Sequence, residues 1–405
     1  MTGMTAAIEA AEAGYDTFLV ERNPYLGGRV AQLHQYFPKL CPPHCGLEIN
    51  FQRIKKNPRL RVHTMATVER ISGKVGNYDV TLGIEPRYVN EQCTACGKCA
   101  EACQLEVDNA YNYGMDKVPA AHLPHDFAHP MRYVVDPALL KKKKQAKRVA
   151  DACPSGAIDL GMKKETVELK VGAIVWATGW DPYDASRLDS YGFGTHANVI
   201  SNVMMERLAS FTGPTQGKIL RPSDGEPPKT LAFLQCAGSR DQNHLPFCSG
   251  ICCLASLKQA GYVRAQLPDC KIYVFYIDIR ASDRLEEVYA KAKQDTKIEF
   301  FKGKVAKITA GENGLLLRVE NTSTLALEEI EVDMAVLATG MRPSTAQTPV
   351  PLKKAKYDEY GFASDMVLRA GVFAAGCTRT PSNVSEAVQD GTAAAMLAMQ
   401  ALARR

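Results

Sequence analysis

The segment Gly3-Met-Thr-Ala-Ala-Ile-Glu-Ala-Ala-Glu-Ala-Gly14-Tyr-Asp-Thr-Phe-Leu-Val-Glu21 decides how the rest of the chain is read. Gly3–Ala13 carries small residues on one side of a helical repeat, Gly14 supplies a turn, and Thr17–Glu21 is an apolar strand ending in an acid. A helix, a turn and a strand closed by a carboxylate form the second half of a dinucleotide-binding βαβ unit, in which the acid accepts hydrogen bonds from an adenosine ribose. Gly3 matches the third glycine of the G-x-G-x-x-G fingerprint, the one needed for close helix–strand packing. The first strand and the first two glycines have no counterpart, so the native chain is expected to begin upstream of Met1. A buried αβ hairpin of any α/β protein shares this half-motif, and the assignment rests on the segments that follow.

In Tyr25-Leu-Gly27-Gly28-Arg29-Val30 the paired glycines let backbone approach a pyrophosphate closely. Two apolar strands end in the same small turn, Ala173-Ile-Val-Trp-Ala177-Thr178-Gly179 and Met334-Ala-Val-Leu-Ala-Thr339-Gly340. Gly371-Val-Phe-Ala-Ala-Gly376-Cys377 is another strand and turn, leading toward a helix after Ser385. This order resembles the two-dinucleotide-domain flavoproteins related to thioredoxin reductase. The resemblance implies an α/β fold of two dinucleotide-binding domains, with the Ala-Thr-Gly strands crossing between them. It also implies FAD held by Gly3, Glu21, Arg22, Gly27, Gly28, Arg29, Val30, Ala177, Thr178, Gly179, Thr339, Gly340, Gly376, Cys377, Ser385 and Ala387. The acid usual after the last glycine is Cys377 here, a departure at that contact.

Lys229–Val332 occupies the place of the nicotinamide-binding domain. Its opening strand, Thr230-Leu-Ala-Phe-Leu-Gln235, runs into Cys236-Ala-Gly-Ser-Arg-Asp and not into a glycine fingerprint. Without that turn no helix N-terminus is presented to a pyrophosphate, so NAD(P)H binding is not expected. Cys236, Cys248, Cys252 and Cys253 stand there instead, spaced C-x11-C-x3-C-C. Four thiolates can surround a cubane, one sulfur for each iron. Zinc accepts four thiolates too, though adjacent cysteines are unusual in zinc modules. Buried, unliganded thiols are the third alternative.

A second group is sharper. Cys93-Thr-Ala-Cys96-Gly-Lys-Cys99-Ala-Glu-Ala-Cys103 has the C-x2-C-x2-C-x3-C spacing of bacterial ferredoxins. The remote ligand of such a cluster is a cysteine followed by proline, supplied by Cys153-Pro154. In two-cluster ferredoxins the cysteine at the Cys103 position serves the other cluster, whose triplet is missing here; Leu139–Lys147 stands in its place. One [4Fe-4S] cluster on Cys93, Cys96, Cys99 and Cys153 is expected, with Cys103 a spare thiol. Cys41-Pro-Pro-His44-Cys45 reads as a rigid Pro-Pro turn with buried thiols, or as a redox thiol pair or extra cluster ligand beside a flavin. Cys270 reads as core.

The 405 residues are 46% hydrophobic and 23% charged, a globular balance that excludes a disordered chain. A net charge of +5 is too small to imply nucleic acid, and the basic run Lys141–Arg148 lacks interleaved aromatics. That run is a solvated helix face or a docking site for an acidic protein. No stretch approaches the length of a membrane helix; Ala393–Met399 is the nearest. Thirteen clustered cysteines in a long chain point to metal or redox chemistry in a reducing cytoplasm.

Taken together, the FAD segments, a ferredoxin insert after Pro86 and the cysteines replacing the nicotinamide fingerprint resemble the A-type subunit of heterodisulfide reductase and its relatives. That subunit carries a further two-cluster ferredoxin domain, whereas this sequence stops at Arg405. The compact form, with Phe37-Pro-Lys-Leu-Cys-Pro-Pro-His-Cys-Gly-Leu-Glu-Ile-Asn50, looks most like the corresponding subunit of quinone-interacting membrane-bound oxidoreductase complexes of sulfate reducers. The resemblance implies FAD, two [4Fe-4S] clusters, and electron exchange between menaquinol and adenylylsulfate reductase. The implied partners are a second flavo-iron–sulfur protein and a haem-containing membrane protein, through which alone the chain would touch the inner face of the cell membrane. A flavin-based bifurcating subunit feeding a ferredoxin and a disulfide is the alternative, and a structural subunit with decayed sites a third. The expected division is FAD-binding parts over 1–85, 161–228 and 333–405, a ferredoxin-like insert over 86–160, and a degenerate nicotinamide-type domain over 229–332.

Overall fold

The computed structural model describes residues 1–37, 40–353, 355–363 and 365–403. Pro38 and Lys39 of the Phe37–Asn50 segment, and Arg405, lie outside the described residues. Helix α1 (Thr2–Glu12) packs its alanines inward and ends at Gly14, whose φ of 97° carries the chain into strand β1 (Thr17–Glu21). Helix α2 (Pro43–Lys56) follows, with proline in its first turn and Arg53, Lys55 and Lys56 in its last. It returns to β2 (Leu60–Thr64), parallel to β1.

Strands β3 (Ala66–Lys74), β4 (Asn77–Ile84) and β5 (Glu165–Val171) form an antiparallel sheet in which Ile84 lies opposite Glu165. The chain therefore leaves this sheet and re-enters it at adjacent points, which is how an insertion is tolerated without disturbing the host. The inserted module has its own core of Val89, Val135, Leu139, Val149 and Ala157, together with Cys99 and Cys103. Its helices are α3 (Lys98–Ala102), α4 (Pro137–Leu140) and α5 (Lys143–Asp151).

Strand β6 (Ile174–Trp176) is followed by β7 (Trp180–Pro182), which leaves the first half of the molecule. The second half is one seven-stranded sheet. In sheet order it runs Val199–Ser201 (β8), Met334–Thr339 (β14), Thr230–Ala237 (β9), Lys271–Tyr276 (β10), Ile298–Ala310 (β11), Leu315–Asn321 (β12) and Ala326–Val332 (β13). The first five are parallel and the last two pairings antiparallel. Every residue of β14 is buried, as expected for a parallel strand covered on both faces. Helices α6 (Asn202–Ala209), α7 (Cys252–Gln266) and α8 (Glu286–Gln294) belong to this half.

After β14 the chain returns through β15 (Met341–Pro343), which pairs antiparallel with β7. The two Ala-Thr-Gly turns thus open onto a pair of crossing strands. The last strands are β16 (Val367–Arg369) and β17 (Val372–Ala374), the latter parallel to β6, and helix α9 (Val384–Ala403) closes the first half against α1. Gly391 of α9 sits so near the Thr2 carbonyl that a Cβ would stand 2.7 Å from it. The fold is α/β with two dinucleotide-type domains. Among the described residues no helix is long and apolar enough to cross a membrane.

Candidate functional site

A cavity of about 980 Å³ runs between the two halves, within the upper size range of ligand pockets. Part of that volume lies between β1 and β6, which are hydrogen-bonded to β2 and β17 but not to each other. The cavity lining includes Gly3, Glu21, Arg22, Gly27, Gly28, Arg29, Val30, Ala177, Thr178, Gly179, Cys377 and Ala387. These come from α1, the end of β1 and the segment after it, the turns after β6 and β17, and the last helix, brought together although far apart in the chain.

Their chemistry differs residue by residue. Gly28 and Gly179 have left-handed backbones, and a Cβ on either would meet nothing within 4 Å, so backbone lies open to the cavity. Glu21 is desolvated, which raises its pKa, and the Asn23 amide donates to its Oε1 at 2.8 Å. Glu21 lines the cavity. Arg29 is engaged with protein: its Nε donates to the Trp180 carbonyl at 2.6 Å and its Nη2 pairs with Asp181 at 2.5 Å. It locks the Gly27–Val30 segment to β7. Thr178 accepts from the Ser344 hydroxyl at 2.7 Å. Burial lifts the Cys377 thiol to about 11, keeping it neutral where an acid was the usual residue.

Four expected residues do not line the cavity. Thr339 and Gly340 face the cysteine loop: the Thr339 carbonyl accepts from Cys252 Sγ at 3.5 Å, and a Cβ on Gly340 would stand 2.0 Å from Ser239 Oγ. The Gly376 amide donates to Asp390 Oδ2 at 2.6 Å, so that glycine shapes a turn held from α9. Ser385 is exposed on the first turn of α9.

Sequence reasoning missed the polar wall supplied by α6 and α7. Lys258 Nζ lies 3.0 Å from Glu206 Oε1, with both side chains at most 5% exposed. Gln259 donates to the same Oε1 at 2.7 Å, and the His34 amide donates to Oε2 at 3.0 Å. Glu206, Lys258 and Gln259 all line the cavity. Beside them Arg207 is fully buried, donating to Asn112, the Gln32 carbonyl and Thr212, with its guanidinium over the Tyr111 ring. The available signal was Glu206-Arg207 in the middle of an otherwise apolar helix. Replacing Lys258 with Met leaves Glu206 buried and unpaired, with an expected cost of about 3–5 kcal/mol. Denaturant unfolding checks this, and the Glu206→Gln, Lys258→Met double variant should lose much less than the two single losses together.

The cysteines form two groups. Cys93, Cys96, Cys99 and Cys153 line one small cavity of the inserted module. Ala95 and Gly97 have φ values of 57° and 87°, which wrap the loop round it. The Ala157 amide donates to Cys153 Sγ at 3.3 Å. Burial acts to raise the Cys153 thiol, but bonds from Ser155 and from the backbone amides of Ser155, Ala157 and Ile158 outweigh it and hold the pKa below the usual thiol value. Cys103 Sγ donates to the Leu105 carbonyl at 3.4 Å and does not line the cavity.

The second group gathers at the start of α7. Burial, then the charge of Cys253, lifts Cys236 to about 11; burial, then Cys253, Cys236 and Cys248, lifts Cys252. The Gly250 amide donates to Cys248 Sγ at 3.3 Å, and Cys236 itself has a left-handed backbone with φ 56°. Among the described residues no three His, Cys, Asp or Glu side chains converge as round a single metal ion. The fit to a cluster rests on the donor sets: four thiols in each group and backbone N–H groups aimed at sulfur.

Pro43 begins α2, so Pro-Pro starts a helix where a rigid turn was expected, and Cys45 is exposed where a buried thiol was expected. His44 stacks on Phe127 with ring centroids 5.0 Å apart. Neither Cys41 nor Cys45 lines the large cavity. Cys270 is buried in the core under α7.

No family model matches the chain. It is 36% identical to the A-type subunit of the ferredoxin/F(420)H(2)-dependent CoB-CoM heterodisulfide reductase of Methanosarcina acetivorans, over 99% of this chain and 52% of that protein. It is 36% identical to the second iron-sulfur A-type subunit of the CoB–CoM heterodisulfide reductase of Methanopyrus kandleri, over 100% of this chain and 63% of the relative. The A-type subunit of the H(2):CoB-CoM heterodisulfide,ferredoxin reductase of Methanothermobacter marburgensis matches at 33%, over 98% and 62%. The chain thus spans between half and two thirds of the length of these curated relatives. In structure it is similar to thioredoxin reductase of T. acidophilum, with a TM-score of 0.53 at 12% identity over 98% of this chain and 94% of that one. Thioredoxin reductase of Lactococcus lactis gives a TM-score of 0.54 at 15% identity over 100% and 96%. Over its whole length the chain is a homologue of the A-type subunits of heterodisulfide reductase, built on a thioredoxin reductase-like fold.

Proposed function

We propose that the chain is the FAD- and iron–sulfur-bearing electron-transfer core of an oxidoreductase subunit of the heterodisulfide reductase A kind. The observation that carries this reading is the continuity of α7: Cys252 and Cys253 open the helix, and its next turns supply Ala255, Lys258 and Gln259 to the wall of the nucleotide cavity. FAD, when bound, supplies a two-electron acceptor able to release electrons singly, which cubane clusters require. Glu21 offers an acceptor to a ribose, while Gly28 leaves backbone open to a pyrophosphate. The buried Lys258–Glu206 pair fixes a charged wall whose geometry does not depend on solvent. Cys93, Cys96, Cys99 and Cys153 hold one cluster, and Cys236, Cys248, Cys252 and Cys253 the other. Elemental analysis of anaerobically prepared protein tests this: two cubanes require about eight irons per chain. Stoichiometric zinc would reject the reading of the second group, and iron near half that value would remove one cluster.

The resemblance of the Phe37–Asn50 segment favours a quinone-interacting complex. There the chain would exchange electrons between menaquinol and adenylylsulfate reductase, held at the inner face of the membrane by a haem-bearing partner and joined by a second flavo-iron–sulfur subunit. The names of the relatives favour a second reading, a heterodisulfide reductase subunit whose flavin divides electrons between a ferredoxin and a disulfide. Subunits co-purified with the native chain discriminate: a haem-bearing membrane protein supports the first and a heterodisulfide-reducing partner the second.

A further inference from the structure

The run Lys141-Lys-Lys-Lys-Gln-Ala-Lys-Arg148 is built against local helix preferences. Lys142 is the N-cap of α5, Lys143 and Lys144 stand in its first turn, and that turn contains no acid. Cations there oppose the helix dipole, which favours acids at this end. Lys143–Lys147 and Lys144–Arg148 are also like-charge pairs at i,i+4 spacing, a further cost. Ala146 and Val149 face the core of the module, and Lys141–Lys144 and Lys147 are exposed. The nearby ion pairs are Lys98–Glu101 and Arg132–Glu91, and among the described residues none of these five lysines joins an acid. A helix that starts on uncapped cations and carries five exposed lysines without an ion pair marks a surface kept for a partner.

Its position says which kind. Helix α5 ends at Asp151, two residues before Cys153, and Arg148 donates to the Ala102 carbonyl at 3.0 Å, tying α5 to α3 and so to Cys99. Cys96 is exposed at the same cavity. The basic helix is therefore rigidly attached to the element that carries Cys99. A bilayer is disfavoured because the apolar side of α5 faces inward, and nucleic acid because no aromatic interrupts the run.

We infer that the α5 face is the docking surface for a small acidic electron-carrier protein, set beside the four-cysteine site of the inserted module. This rests on the reading that the site holds a cluster, and the test separates the two. The full chain and its K143E/K144E/K147E variant are titrated with a small acidic [4Fe-4S] ferredoxin, and the iron of both is counted. Wild-type binding should weaken steeply with rising salt, and the variant should bind about tenfold or more weakly with a flatter salt dependence. Its iron content should be unchanged and its melting temperature close to that of the wild type, because acids at positions 143 and 144 suit the positive end of the helix while the 143/147 pair stays like-charged. Unaltered binding by the variant overturns the inference. So does binding of the wild type to phosphatidylglycerol vesicles that the variant loses while its ferredoxin binding persists. Salt-sensitive docking without iron at the module would uphold the surface and reject the cluster.

Discussion

Replacing Cys99 with serine is expected to remove about four of about eight irons per chain, while Cys103→Ser leaves the iron unchanged. The difference follows from placement, since both thiols are buried in the same module at 8% exposure. Cys99 opens onto the cavity shared with Cys93, Cys96 and Cys153, so its sulfur is one of four donors to a common centre. Cys103 follows the last residue of α3 and spends its S–H on the Leu105 carbonyl. A serine there keeps a donor for that carbonyl and costs no ligand. At position 99 the hydroxyl, far more basic than a thiolate as an anion, is a poor replacement. Iron and sulfide assays after anaerobic reconstitution check the pair, with low-temperature electron paramagnetic resonance of the reduced proteins reporting which signal is lost. Equal loss in both variants would show that Cys103, and not Cys153, completes the site.

How much of this was legible in the sequence depends on whether the information was local. Spacing is local, and C-x2-C-x2-C wraps one small cavity because three nearby cysteines need only a short loop with two left-handed residues. Strand character was equally plain in Met334–Thr339, where burial on both faces demands an unbroken apolar run. The insertion was readable from its cysteine spacing, but its seam became visible only through the pairing of Ile84 with Glu165. What a turn packs against is not local. The Thr339-Gly340 turn looks like Thr178-Gly179, yet it abuts Ser239 and Cys252 while its counterpart faces the nucleotide cavity. The Glu206–Lys258 pair was out of reach for the same reason: each residue sits in a helix with no periodic signal pointing to the other. Arg29 was expected among the residues that hold FAD, and only the return of β7 reveals Asp181 as its partner.

Mixing the anaerobic, FAD-loaded chain with excess NADH should leave the flavin oxidised over a period in which a chemical reductant bleaches it fully. A pyridine-nucleotide site of this fold needs a tight glycine turn between its first strand and the following helix, so that free N–H groups of the helix meet the pyrophosphate. Here β9 ends at Ala237 and α7 does not begin until Cys252. The intervening loop folds back on itself, with the Leu245 amide donating to Gly238 and the Arg240 amide to Phe247. It is anchored at both ends, by an Arg240–Asp278 ion pair at 2.5 Å and by the Ser249 hydroxyl accepting from the Met341 amide at 2.8 Å. At Gly238, whose φ is +78°, a Cβ would stand 2.6 Å from the Tyr183 ring, so that turn takes glycine alone. The first turn of α7 is given over to Cys252 and Cys253, which takes the helix N-terminus that a dinucleotide would require. Rapid stoichiometric bleaching by NADH would mean that a pyridine nucleotide enters by another route, and would sink the electron-relay reading in favour of a pyridine-nucleotide reductase. Absent bleaching beside full chemical reduction leaves the cysteine groups as the route by which electrons reach and leave the cavity.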